Sequence, residues 1–137
     1  MAADRPERKL RKPKHYVRHI KQFGSQGNHI GWWAPEDEGE DDERSLRLAY
    51  FQHRVAQMTN VKIATDRRYL TTKAFATAIG VDPAHLGRKL RGDSWASIGD
   101  YFRWAMRLGI DILPASFDTM LPPENLMKEW KPAGPPK

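Results

Sequence analysis

Histidines and cations are the side chains here that could do chemistry, because the sequence has no cysteine and therefore no disulfide and no thiolate metal site. His15 and His19 stand at the i, i+4 spacing of a helical metal pair, but Tyr16, Val17 and Arg18 separate them, without the glutamate of a metalloprotease helix. Two ligands alone make a weak site, and no metal is expected. His53 falls on an apolar helical face, where a hydrogen-bonded core residue is the ordinary outcome. Residues 24–35, GSQGNHIGWWAP, have spaced glycines but lack the GK[ST] ending of a phosphate-binding loop, and no apolar strand precedes them. Nucleotide hydrolysis is thereby excluded. No Ser/His/Asp set and no carboxylate pair can be chosen without arbitrariness, so neither an enzyme nor a cofactor is expected. What remains is a short cationic segment. Arg88 could grip guanine O6 and N7, worth about 1 to 3 kcal/mol of discrimination, Ala84 could approach a thymine methyl, and His85 could touch a phosphate or a base.

Those side chains need a scaffold, and Leu70 to Gly92 reads as two short helices joined by a tight turn. Thr71 or Thr72 can cap the first, on which Phe75, Ala76 and Ile79 form a small apolar stripe. Gly80 stops it, since glycine takes the left-handed conformation without a Cβ clash. Val81 then plugs the angle. Asp82 followed by Pro83 is a start signal, the carboxylate accepting orphan N–H groups and the proline having none to waste. Leu86 and Leu90 face the first helix; Ala84, Arg88 and Arg91 lie opposite, flanked by His85 and Lys89. Gly87 costs about 1 kcal/mol against alanine inside a helix, explained equally by close approach to DNA or by a tight helix crossing.

This pattern is a helix-turn-helix and resembles the DNA-binding domain of the lambda repressor and Cro family, with Ala76, Gly80, Val81 and Leu86 at the family's spacing. The likeness continues through SIGDYFRWAMRLGID, where Ile98, Tyr101, Phe102, Ala105 and Leu108 match the next helix, and back to Arg44–Met58 as the first. The resemblance implies an all-α bundle of about five helices with a basic N-terminal extension. It also implies base-edge contacts from Pro83, Ala84, Gly87 and Arg88 and phosphate contacts from Thr72 and Arg91, to which Thr71, Lys73 and Lys89 add cations and donors. The chain departs from the family in three places. Thr72 replaces a usual glutamine, Pro83 stands where a base-reading glutamine is common, and Lys89 takes an aliphatic position, leaving the packing to Leu90.

Charge supports a polyanionic partner. Lys and Arg number 23 against 17 Asp and Glu, for a net +6 and a pI near 9.7. No apolar run is long enough to span a membrane, and the opening MAADRPERKLRK lacks the apolar centre of a secretory signal, so a cytoplasmic, nucleoid-associated protein is expected.

Three regions are expected. Residues 1–40 read as a largely irregular basic arm and acidic linker, with Arg5, Arg8, Lys9, Arg11, Lys12, Lys14, Arg18 and Lys21 tracking phosphates and too few apolar residues for a core. Trp32 and Trp33 fold back onto the helical domain rather than stack on bases. The acids of 36–43 are a solvated linker whose end suits the start of a helix. Residues 41–130 form the DNA-binding domain. Within it, Arg44 to Thr59 is the first helix, Asn60 to Tyr69 a basic loop whose Arg67 and Arg68 clamp a phosphate, and Ser97 with Asp100 close to a capping box. Pro123 to Trp130 makes a last short helix whose Leu126, Met127 and Trp130 are a candidate dimer contact, balanced evenly against intramolecular packing. Residues 131–137 are a disordered tail.

The function expected is a sequence-specific double-stranded DNA-binding transcriptional regulator, a phage or bacterial repressor acting as a homodimer or as a monomer helped by its arm. The alternative is a protein-interaction module on the same fold, an antitoxin or transcription-complex adaptor, using the N- or C-terminal extension.

Overall fold

No glycine or proline interrupts the chain between Glu40 and Ile79, and a long helix results. The computed structural model describes residues 5–7, 10–25, 30–35 and 40–112. Among these it is all-helical, with four α-helices and no strand: α1 (Glu40–Thr65), α2 (Thr72–Ile79), α3 (Pro83–Leu90) and α4 (Ile98–Leu108). Two 3-10 turns, Pro13–Tyr16 and Ile20–Gln22, precede them. Leu126, Met127, Trp130 and the expected tail lie outside the described residues.

α1 is the spine. Leu46, Ala49, His53, Ala56, Thr59 and Ile63 recur at three- and four-residue steps and are all buried, so one face meets every other helix. It runs further than expected at both ends. Buried Ile63 anchors an extra turn, and the Thr65 hydroxyl donates to the carbonyl of Val61 at 2.9 Å. The basic loop therefore shrinks to a turn. In it the Asp66 carboxylate accepts the Arg68 amide at 2.9 Å and its guanidinium at 2.8 Å, while Leu70 bends the chain into α2 at φ +67°, a conformation costing a leucine about 1 to 2 kcal/mol.

The two-helix unit follows its local signals. The Thr71 hydroxyl accepts the Ala74 amide at 3.1 Å, Gly80 stops α2 at φ +75°, and Phe75, Ala76, Leu86 and Leu90 are buried. Asp82 differs from expectation: it precedes Pro83 but makes no side-chain cap, and its carboxylate stands 3.9 Å from His85 Nε2 instead. α4 opens with a full capping box, the Ser97 hydroxyl accepting the Asp100 amide and the Asp100 carboxylate accepting the Ser97 amide, and ends at left-handed Gly109. Its buried face is Tyr101, Trp104, Ala105 and Leu108, so the expected apolar stripe was rotated. Ile98 and Phe102 are exposed, and Trp104, the largest side chain on the helix, decides which face turns inward.

The N-terminal segment is the main correction. The expected irregular arm is seated on the helices, with Tyr16, Val17, Phe23, Ile30 and Trp32 in the same core cluster as α1 to α4. Val17 and Trp32 form an antiparallel bridge, held by Arg18 N–H to the Gly31 carbonyl (2.9 Å) and Trp33 N–H to the Tyr16 carbonyl (3.0 Å). Further on, the Lys14 amide donates to the Gly92 carbonyl, the Gly24 amide to His53 Nδ1 at 2.8 Å, and the Trp95 indole to the Arg11 carbonyl. Gly24 is required by closeness: a Cβ there would lie 2.5 Å from the Leu90 carbonyl oxygen. Trp32 is 2% exposed and packs on Tyr50 and His53, whereas half-buried Trp33 has the Arg5 and Arg18 guanidiniums 5.2 and 4.5 Å from its ring centre.

Candidate nucleic-acid interface

α3 is held by Leu86 and Leu90, which turn inward on successive turns, so the opposite side of the helix is outward by geometry. Ala84, His85, Arg88 and Arg91 are exposed there, with Pro83 and Gly87 half-covered between them. Arg88 makes no side-chain hydrogen bond or ion pair among the described residues. Arg91 is oriented, its Nε donating to the Asp93 carboxylate at 3.2 Å. An added Cβ on Gly87 would meet only the Arg91 guanidinium, at 2.9 Å. No crossing with another helix requires that glycine.

At the head of α2, Thr71 and Lys73 are exposed and Thr72 half-buried. Thr72 and Lys73, with Pro83, Ala84, Gly87, Leu90 and Arg91, border a groove of about 560 Å³ that is also lined by Asn60 and the Phe23–Ser25 turn. The extension thus stands beside α3 and leaves its outward side open. Lys14 and Arg91 share Asp93, Lys14 Nζ lying 2.5 Å from that carboxylate. Burial opposes ionisation of Asp93, but the hydrogen bonds from Lys14 and Arg91 outweigh it and hold its carboxyl below the ordinary range. This cluster joins the extension to the end of α3. Sequence spacing did not reveal it, because Lys14 and Asp93 are far apart in the chain.

Several expected phosphate contacts are otherwise engaged. Lys89 points to α4, its ammonium 2.7 Å from the half-buried Asp100 carboxylate, so its charge is already paired within the fold. Arg68 is bound to Asp66, lies over the Tyr69 ring and donates to the Arg107 carbonyl at 3.1 Å, so it braces the turn before α2 against α4. Arg67 is exposed.

The arm residues divide in the same way. Arg11 is buried and 3.7 Å from the buried Asp42 carboxylate, and Arg5 donates to the His15 carbonyl. Lys12, Arg18 and Lys21 are exposed, while Arg8 and Lys9 lie outside the described residues. His15 and His19 do not share a helix, because the 3-10 turn ends at Tyr16 and Val17 is extended. Burial, then the Lys14 charge, pushes His15 below its ordinary pKa. Among the described residues no group of three His, Cys, Asp or Glu could hold a metal ion, and no helix is long and apolar enough to cross a membrane. Compared with known proteins, the chain matches no family model, no curated protein and no solved structure.

Proposed function

We propose that this protein is a sequence-specific double-stranded DNA-binding transcriptional regulator of the lambda-repressor and Cro type, acting as a repressor in a bacterium or phage. α3 enters the major groove, Arg88 reads a base edge, and Ala84 and Gly87 let the helix approach closely. Thr71, Thr72, Lys73 and Arg91 hold the flanking phosphates, and the Phe23–Ser25 turn with exposed Lys21 lines the backbone on the far side of the groove. The observation that carries this reading is the outward Arg88, without a partner among the described residues, on a helix whose Leu86 and Leu90 are buried. The interaction-module alternative would use the N-terminal extension, and the burial of Trp32 in the core takes one large aromatic off that surface.

Selection from a random duplex pool tests the proposal. The parent should enrich one consensus. Arg88→Ala should lose about 1 to 3 kcal/mol of discrimination at one base pair while keeping weak nonspecific binding. A parent that enriches nothing would refute the DNA reading, and an Arg88→Ala protein selecting the parental consensus would refute the role of Arg88.

The extension needs a gentler probe than deletion, which would strip Tyr16, Val17 and Phe23 from the core. Lys21→Ala should weaken binding to all duplexes alike and reduce the salt slope by about one unit. An unchanged slope would remove Lys21 from the interface.

A further inference from the structure

Asp93 is placed to do more than brace a loop. The chain leaves α3 through left-handed Gly92, and the Asp93 amide turns back to the Arg88 carbonyl at 2.7 Å, so the carboxylate is fixed just past the end of the helix. Two cations reach it on separate oxygens. Lys14 Nζ lies 2.5 Å from Oδ1, and Arg91 Nε donates to Oδ2 at 3.2 Å. Their settings differ. The Lys14 side chain is 23% exposed and its own amide is tied to the Gly92 carbonyl at 3.0 Å, whereas the Arg91 side chain is 64% exposed. An exposed ion pair resting on one hydrogen bond is weak and readily exchanged.

The Arg91 guanidinium also lies where DNA would have to come. One helical turn back, a Cβ on Gly87 would stand 2.9 Å from its Nη1 and 3.8 Å from its Cζ, so in the free chain the guanidinium lies across Gly87. Residues 84, 87, 88 and 91 share that side of α3, three and four positions apart. Arg91 borders both hollows on this face, the groove beside α2 and a second of about 300 Å³ that it shares with Lys14, Lys21 and Asp93. A guanidinium lifted off Gly87 therefore has room on the Lys21 side. A DNA phosphate offers it two acceptor oxygens in its own plane, a stronger match than one carboxylate oxygen at 3.2 Å. Its departure does not strand Asp93, because Lys14 stays on Oδ1 and the carboxylate side chain is 22% exposed to water.

We propose that Asp93 sets the affinity of the DNA interface: it holds Arg91 across Gly87 in the free protein and yields it to a backbone phosphate as α3 enters the groove. This role rests on the DNA reading and adds to it the residue that competes with DNA.

Asp93→Asn keeps the shape and the backbone hydrogen bond and removes the charge. In anisotropy titrations of labelled duplex, the variant should bind selected and random sequences about three- to tenfold more tightly at low salt, as expected from removing one negative charge about 6 Å from a phosphate. Its salt slope should steepen by about half to one unit. In an Arg91→Gln background the same substitution should gain little, since no guanidinium remains to be released. A parent that binds no duplex would refute the DNA reading and this role with it. Where the parent binds, unchanged affinity and slope in Asp93→Asn would overturn the role of Asp93 alone. An equal gain in both backgrounds would overturn it too, since Asp93 would then repel DNA without acting through Arg91. The unmutated chain supplies a readout that needs no variant to fold: the Arg91 Nε–H resonance should shift at saturating duplex, and an unmoved resonance would mean that Arg91 never leaves Asp93.

Discussion

Gln52→Leu should cost about 3 to 5 kcal/mol of folding stability, read as the shift in a urea unfolding curve. Gln52 is 0% exposed, midway along α1, and all of its polar capacity is used. Its Nε2 donates to the Lys89 carbonyl at 2.8 Å and the Ser94 carbonyl at 3.0 Å, while its Oε1 accepts the Ala96 amide at 2.9 Å and the Tyr101 hydroxyl at 3.4 Å. One side chain thereby replaces the helix-end and loop partners of α3, the loop after it and α4. Leucine fills similar space but leaves the Ser94 carbonyl, the Ala96 amide and the Tyr101 hydroxyl without this partner, while the Lys89 carbonyl keeps only the Gly92 amide at 3.2 Å, and each unpaired group costs about 1 to 3 kcal/mol where water cannot reach it. A loss under about 1 kcal/mol would mean that water enters freely and that Gln52 is not the joint described.

Acid should weaken the protein well before its carboxylates protonate. His53 is 3% exposed among Phe23, Trp32 and Tyr50, and its Nδ1 accepts the Gly24 amide, so that nitrogen carries no proton in the folded chain. Burial, then the Arg54 charge, lowers its pKa from 6.5 to about 4. Between those values the unfolded chain takes up a proton that the folded chain refuses. Stability is therefore complete above about pH 6.5 and falls by about 1.4 kcal/mol per unit as pH drops to about 4, a total near 3 kcal/mol. His15, also lowered, acts in the same direction. The lowered carboxyls of Asp93 and Asp100 lose their stabilisation only at still lower pH. Denaturant titrations at pH 7.0 and 4.5 measure the slope, and His53→Gln, whose amide oxygen can accept the same bond, should remove most of it. A parent equally stable at both pH values would show that His53 is not held neutral.

How far the fold could be read in advance depended on how local each determinant was. Thr71, Gly80, Pro83, the Ser97–Asp100 box and Gly109 act within one helical turn, and their elements stand where the residues place them. The outward position of Arg88 follows from Leu86 and Leu90 alone. The seating of the extension does not, because Gly24 finds His53 and Lys14 finds Gly92 across the chain, and Tyr16, Val17, Phe23, Ile30 and Trp32 follow no helical or strand period. Lys89 looked like a surface cation because its partner Asp100 belongs to the next helix. On α4 the expected stripe of Ile98, Tyr101, Phe102, Ala105 and Leu108 left out Trp104, whose burial with Tyr101 turns Ile98 and Phe102 outward.

The seat of the extension also imposes an order on biosynthesis. Phe23 rests against Gly92, whose added Cβ would meet the Phe23 ring at 2.7 Å, and at about 5–20 residues/s Gly92 is translated roughly 3–14 s after Phe23. Throughout that interval the nascent chain carries Tyr16 and Phe23 without the Trp95 and Gly92 they pack against, so the extension cannot be fully seated until α3 and the loop after it have been made.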